Sequence, residues 1–168
     1  MRNSAFNLKY DYIVNLEANK DEFLKTFSDA EEMLETDYSE YGADGISAKF
    51  LGEVDCEYIF EQRRCNAKYL MECLLENEDF RMPYKNIGVD ECPLFLPVRI
   101  KQDNRATLRT HFIKNSIYLP VHWPVSDLHK KYGLVSEIYL EELSVVCDQR
   151  YSIEDMKKTV SVENEFYG

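Results

Sequence analysis

Leu94-Phe95-Leu96-Pro97-Val98-Arg99-Ile100 is the stretch on which the fold turns. Leu94, Leu96, Val98 and Ile100 recur at every second position, the period of a strand with one buried face. Upstream, apolar residues recur at helical spacing, so the period changes here. Pro97 cannot donate to a ladder and predicts an edge strand or a bulge. Downstream, Asp103 or Asn104 predicts the cap of a helix to about Asn115, with Leu108 and Phe112 inward. Ile117 to Val121 predicts a second strand, and Leu143-Ser-Val-Val-Cys147 a third. Between them, Leu128, Leu134 and Ile138 mark a helix that Gly133 interrupts. Ser152 and Asp155 form a capping pair ahead of a last helix whose face carries Ile153, Met156 and Val160.

Working upstream, Asn19 and Glu22 have capping-box spacing, and Phe23, Phe27, Ala30 and Leu34 share a helical face to about Thr36. Residues 37–47 are polar, hold Gly42 and Gly45, and read as a loop. A long helix is expected from Asp55 to Asn77, with Cys56, Ile59, Phe60, Ala67, Leu70 and Leu74 as its stripe and Arg63, Arg64 and Asn66 in its middle. Residues 78–92, with Pro83 and Gly88, read as irregular; residues 4–16 fit helix or strand. Helices first, then strand–helix–strand and strand–helix, predict an α+β fold. Its parts are a helical lead-in over 1–52 and a domain over 53–168 built on a small, mainly antiparallel sheet covered by helices.

The chain has 168 residues with 45% hydrophobic side chains, enough for a core. Its net charge of −11 argues against nucleic acid and anionic membrane surfaces, which need a basic face. Five cysteines without a CxxC pair suit a reduced cytoplasmic compartment. No apolar run approaches the roughly 18 residues of a spanning helix, and no signal peptide is expected.

Few residues suggest chemistry. His122 and His129 stand seven apart without metal-ligand spacing, so no metal is expected. Cys147 beside Asp148, with His122, could form a nucleophile and base, but a small apolar packing role is preferred. In Ile117-Tyr-Leu-Pro-Val-His-Trp-Pro124, two prolines bracket His122 and Trp123, the only tryptophan. That pair reads either as a ligand contact or as a strand end that buries Trp123, and residue chemistry favours packing. Asp148-Gln149-Arg150-Tyr151 follows the third strand, where Arg150 could clamp a carboxylate or phosphate or simply be solvated.

Taken together and in order, several stretches resemble the C-terminal portion of pyridoxal-phosphate (PLP)-dependent sugar aminotransferases of the DegT/StrS type. They are Phe27 to Leu34, Arg63 to Leu70, Cys92 to Val98, Arg105 to Arg109, Ile117 to Pro124, and Leu143 to Met156. The resemblance implies the small domain of fold type I PLP enzymes, which closes over substrate. The family's Schiff-base lysine lies upstream of the matched region, and neither Lys9 nor Lys20 stands in its context. The chain alone is therefore expected to hold no cofactor and to be inactive, with PLP implied only for the complete enzyme. The resemblance makes His122 and Trp123 substrate-side contacts, with Gln149 and Arg150 as further candidates; no catalytic residue is assigned. It implies a homodimer or a separate large domain as partner, with Phe23, Phe27, Ile59 and Phe60 at the contact. Alternatives are a non-catalytic interaction module and one half of a split enzyme completed by another chain.

Overall fold

In the computed structural model, residues 2–15, 17–36, 39, 42–122, 125–133 and 137–168 are described. They divide into two compact units, one to Val54 and one from Asp55 to Gly168.

The first unit is helical. It contains α1 (Arg2–Tyr10), a π-helical turn over Asp11–Asn15, α2 (Lys20–Thr36) and α3 (Gly45–Glu53). Asn19 caps α2, its side chain accepting the Asp21 N–H at 2.9 Å. The expected face forms: Phe23 and Ala30 are buried, and Phe27 meets Phe6 edge-on at 4.9 Å. Phe23 is enclosed by Tyr12 at 5.3 Å and Phe27 at 6.5 Å. It is therefore withdrawn from the exposed contact face that the sequence reading gave it. The expected loop over 37–47 gives way at Gly45 to α3, because the Asp44 carboxylate accepts the Ser47 N–H at 2.6 Å and starts a helix.

The second unit runs α4 (Cys56–Cys73), β1 (Phe80–Arg81), β2 (Phe95–Ile100), α5 (Gln102–Lys114), α6 (Asp127–Lys131), α7 (Glu137–Glu141), β3 (Glu142–Val146) and α8 (Ile153–Tyr167). The fold is α+β, with one antiparallel sheet in the order β1-β2-β3. Register pairs Phe95 with Val146, Pro97 with Ser144 and Arg99 with Glu142. Strand alternation therefore sends Leu96, Val98, Ile100, Leu143 and Val145 to one face, all buried. Ala67, Leu70, Leu108, Phe112, Met156 and Val160, from the helices, join them in the core. The other face carries Phe95, Pro97, Glu142 and Ser144.

Four sequence expectations change. Pro97 lies on the middle strand, not an edge. The Cys147 N–H donates to Leu94 O at 3.3 Å, so by alternation Pro97 faces away from β3, toward the side where β1 pairs only Arg99 and Ile100. Locally it sits on an edge. The expected strand over 117–121 is irregular; one bond, Ser144 N–H to Pro120 O at 3.1 Å, ties it beside β3, and Pro120 offers no donor in return. The stripe of α4 is buried only in its second half: Cys56 is exposed, while polar Arg64 and Asn66 are buried with Ala67 and Leu70. Finally, α5 starts after Lys101, with no side-chain cap from Asp103 or Asn104.

The Ser152–Asp155 capping box forms as expected, each partner bonding the other's backbone N–H. No helix among the described residues is long and apolar enough to cross a membrane.

Candidate functional site

The face of the sheet turned away from the core carries a cleft of about 490 Å³. Phe95, Pro97 and Ile138 give it apolar walls, and His122, Glu142 and Ser144 supply its polar groups. Two arginines one turn apart on α5 build this arrangement. Arg105 donates to the carbonyls of Tyr139 (3.0 Å) and Glu142 (3.3 Å), fixing the entry to β3. Arg109 donates to Leu119 O at 2.9 Å and holds the 117–122 segment against it. Guanidinium groups suit this work because their fork reaches carbonyls while remaining charged.

Within the cleft the polar groups form a chain. Ser144 Oγ donates to Glu142 Oε1 at 2.5 Å. His122 Nδ1 lies 2.9 Å from Ser144 Oγ, and the His122 backbone N–H donates to Glu142 Oε2 at 3.1 Å. The Phe95 ring lies 4.5 Å from the imidazole, centre to centre. The His122 ring thus bonds a side chain, Ser144. Trp123, its expected companion, lies outside the described residues.

Gln149 and Arg150 belong to a different cluster, where β3 leaves the sheet for α8. Gln149 Oε1 accepts from Arg63 Nε at 2.7 Å. Arg150 directs its guanidinium onto both oxygens of Asp148, with Nε at 3.0 and 3.1 Å and Nη2 at 2.5 Å. Burial alone would raise the Asp148 carboxyl, but the Arg150 side chain and backbone N–H outweigh it and hold the carboxyl below its ordinary range. Asn66, fully buried on α4, donates to the carbonyls of Asp148 (3.1 Å) and Tyr151 (2.9 Å) and so fixes this turn. Neither Gln149 nor Arg150 lines the cleft at His122.

Cys147 and His122 do not form a nucleophile and base. The Cys147 thiol is fully buried and points to Pro93 O at 3.7 Å. Burial, with the neighbouring Asp148 charge, pushes it up to about 12. Brief iodoacetamide treatment of the native chain is expected to modify exposed Cys56, Cys65 and Cys92 and spare Cys147. Peptide mass spectrometry checks this, and early labelling of Cys147 would refute it. Among the described residues, no three His, Cys, Asp or Glu side chains converge as metal ligands.

Sequence reading missed Glu142, Ser144 and Phe95. The signal was present: they stand out of phase with the buried positions of two alternating strands, so their side chains share the opposite face.

No protein-family model matches the chain, and no curated protein matches it. Two solved structures are similar. One is the aminotransferase TlmJ from Streptoalloteichus hindustanus, with a TM-score of 0.48 and 16% identity over 64% of this chain and 31% of that one. The other is NtdA from Bacillus subtilis, solved with bound cofactor PMP, with a TM-score of 0.51 and 14% identity over 64% of this chain and 28% of that one. The chain spans under a third of the length of either, and at 14% identity the similarity to NtdA is one of fold.

Proposed function

We propose that the chain supplies the substrate-facing small domain of a PLP-dependent sugar aminotransferase of the DegT/StrS type. The observation that carries this reading is His122, held by Glu142 and Ser144 in an apolar-walled cleft on the open face of the sheet. Support also comes from the order of the sequence stretches and from a fold shared with part of NtdA.

PLP does not fit this cleft as its resident group. No lysine or arginine is among the described lining residues, and the Glu142 carboxylate opposes a phosphate. The Schiff-base lysine would come from a large domain or from a second chain, and the partner is either that domain or a second copy of this one. This chain's own contribution is to bind and orient the sugar end of a substrate. His122 is the side chain offered to it, and the family resemblance adds Trp123, Gln149 and Arg150 as candidate contacts.

Two measurements test this. The purified chain mixed with PLP is expected to give no Schiff-base absorbance band above a control protein with similar surface lysines, and no stoichiometric borohydride-trapped adduct. Titration of the isotope-labelled chain with millimolar UDP-N-acetylglucosamine is expected to shift the resonances of Phe95, His122 and Ser144. A stoichiometric adduct at one lysine would overturn the proposal, as would unmoved cleft resonances.

A further inference from the structure

Glu142, as a carboxylate, only accepts hydrogen bonds, so the 2.5 Å contact assigns the Ser144 hydroxyl proton to Glu142 Oε1. With its one proton directed there, Ser144 Oγ meets His122 Nδ1 as an acceptor, and the 2.9 Å contact is an Nδ1–H donation. A neutral imidazole with its proton on Nδ1 has its lone pair on Nε2. The two partners are firmly placed. Ser144 is buried, and its own N–H is bonded to Pro120 O at 3.1 Å. Glu142 is held through its carbonyl by Arg105 Nη1 at 3.3 Å and through its second carboxylate oxygen by the His122 N–H at 3.1 Å.

From this geometry we propose that Glu142 and Ser144 are positioning residues that lock neutral His122 in the Nδ1–H tautomer, making Nε2 an acceptor for a hydroxyl or protonated amine of the ligand. The cleft fits such a ligand. Among its described lining residues the one formal charge is the Glu142 carboxylate, which attracts a donor and repels an anion, and Phe95 and Ile138 offer apolar surface to the carbon face of a ring. The ligand portion that meets His122 is thus neutral or cationic, not phosphate or carboxylate. The ligand part of this inference rests on the proposed substrate-facing role; the tautomer part does not.

The test is a nitrogen–proton correlation spectrum of the histidine-labelled chain at pH 8, with His122 assigned by loss of its signals in His122→Gln. His122 is expected as the Nδ1–H tautomer. Ser144→Ala is expected to lower that preference by up to about tenfold, the effect of one neutral hydrogen bond, and Ser144→Thr, which keeps the hydroxyl, to restore it. Glu142→Gln is expected to weaken the preference in the same direction. A dominant Nε2–H form in the parent, or an unchanged ratio in Ser144→Ala, would overturn the tautomer lock. Methyl glucosaminide and methyl phosphate are then titrated separately. The first is expected to shift the Nε2 resonance and the second to leave it unmoved. A locked tautomer with neither probe bound overturns the ligand assignment and the substrate-facing role while leaving the positioning residues in place; binding of the phosphate alone overturns the ligand class.

Discussion

At pH 8 the Glu163→Gln variant is expected to be more stable than the parent chain by about 3 kcal/mol, and at pH 5 by about 1 kcal/mol or less. Glu163 lies on α8 with 1% of its surface exposed, and its Oε2 has no hydrogen-bond partner among the described residues. Burial raises its carboxyl from the ordinary 4.5 to about 7. The folded chain therefore holds a proton that the unfolded chain releases at lower pH. Stability from this group is full below the unfolded value of 4.5 and is lost as pH rises through about 7. A neutral amide of the same shape removes that loss. Tyr167, one turn further on, has no partner for its buried Oη among the described residues and is pushed up to about 12 by burial, then by Asp79 and Glu163, so it stays neutral over this range. Asp148 and Asp155 are held low and act at the acid end, where both proteins carry them alike. Urea unfolding of the two proteins at several pH values, followed by circular dichroism, gives the difference directly. A difference that stays flat from pH 5 to pH 8 would refute the buried-acid account.

Glu163 also shows where the sequence could be read further than it was. Met156, Val160, Glu163 and Tyr167 are spaced by four, three and four, so the apolar face recognised at Met156 and Val160 extends through an acid and a phenol. An inward glutamate contradicts the polar-outward pattern, and such contradictions mark strained or titrating positions. Alternation in β2 and β3 placed the core strands correctly, because period two is a local property of the chain. Strand order is not local. β1 is two residues long, and Pro97 shows how a residue can sit on a middle strand yet face an empty edge. The cleft was half legible. His122 stood out between its prolines, but Glu142 and Ser144 reach it from 20 and 22 positions away through register and the two arginine braces of α5. Asn66 was visible mid-helix but unexplained, since its partners are backbone carbonyls, which carry no sequence signature.

Those carbonyls make Asn66→Ala the polar substitution expected to loosen the turn after β3, at a cost of about 2 kcal/mol. The Asn66 amide is fully buried and donates to Tyr151 O at 2.9 Å, Asp148 O at 3.1 Å and, more weakly, Cys147 O at 3.4 Å. Its Oδ1 accepts from Gln62 Nε2 at 3.2 Å. Alanine removes these donors, while Tyr151 O keeps the Gln62 amide at 3.0 Å and Asp148 O keeps the Tyr151 N–H at 3.2 Å. The cost is therefore that of the lost bonds themselves, about 0.5–1.5 kcal/mol for each of the two shorter ones. Asn66→Asp is expected to be at least as damaging, because a carboxylate offers no donor and places a buried charge against carbonyl oxygens and near Asp148. The loss should also be local. Asn66 is the buried tie between α4 and the turn carrying Gln149 and Arg150, beside Gln62 Nε2 on Tyr151 O at 3.0 Å and Arg63 Nε on Gln149 Oε1 at 2.7 Å, so amide exchange should quicken at residues 148–152 before it does in β2. An ordinary core truncation such as Leu108→Ala should lower stability without that loosening. Denaturant unfolding with hydrogen-exchange mass spectrometry separates the two. A loss below about 1 kcal/mol for Asn66→Ala, or protection of 148–152 unchanged relative to β2, would show that the turn is held by the Asp148–Arg150 fork and not by α4.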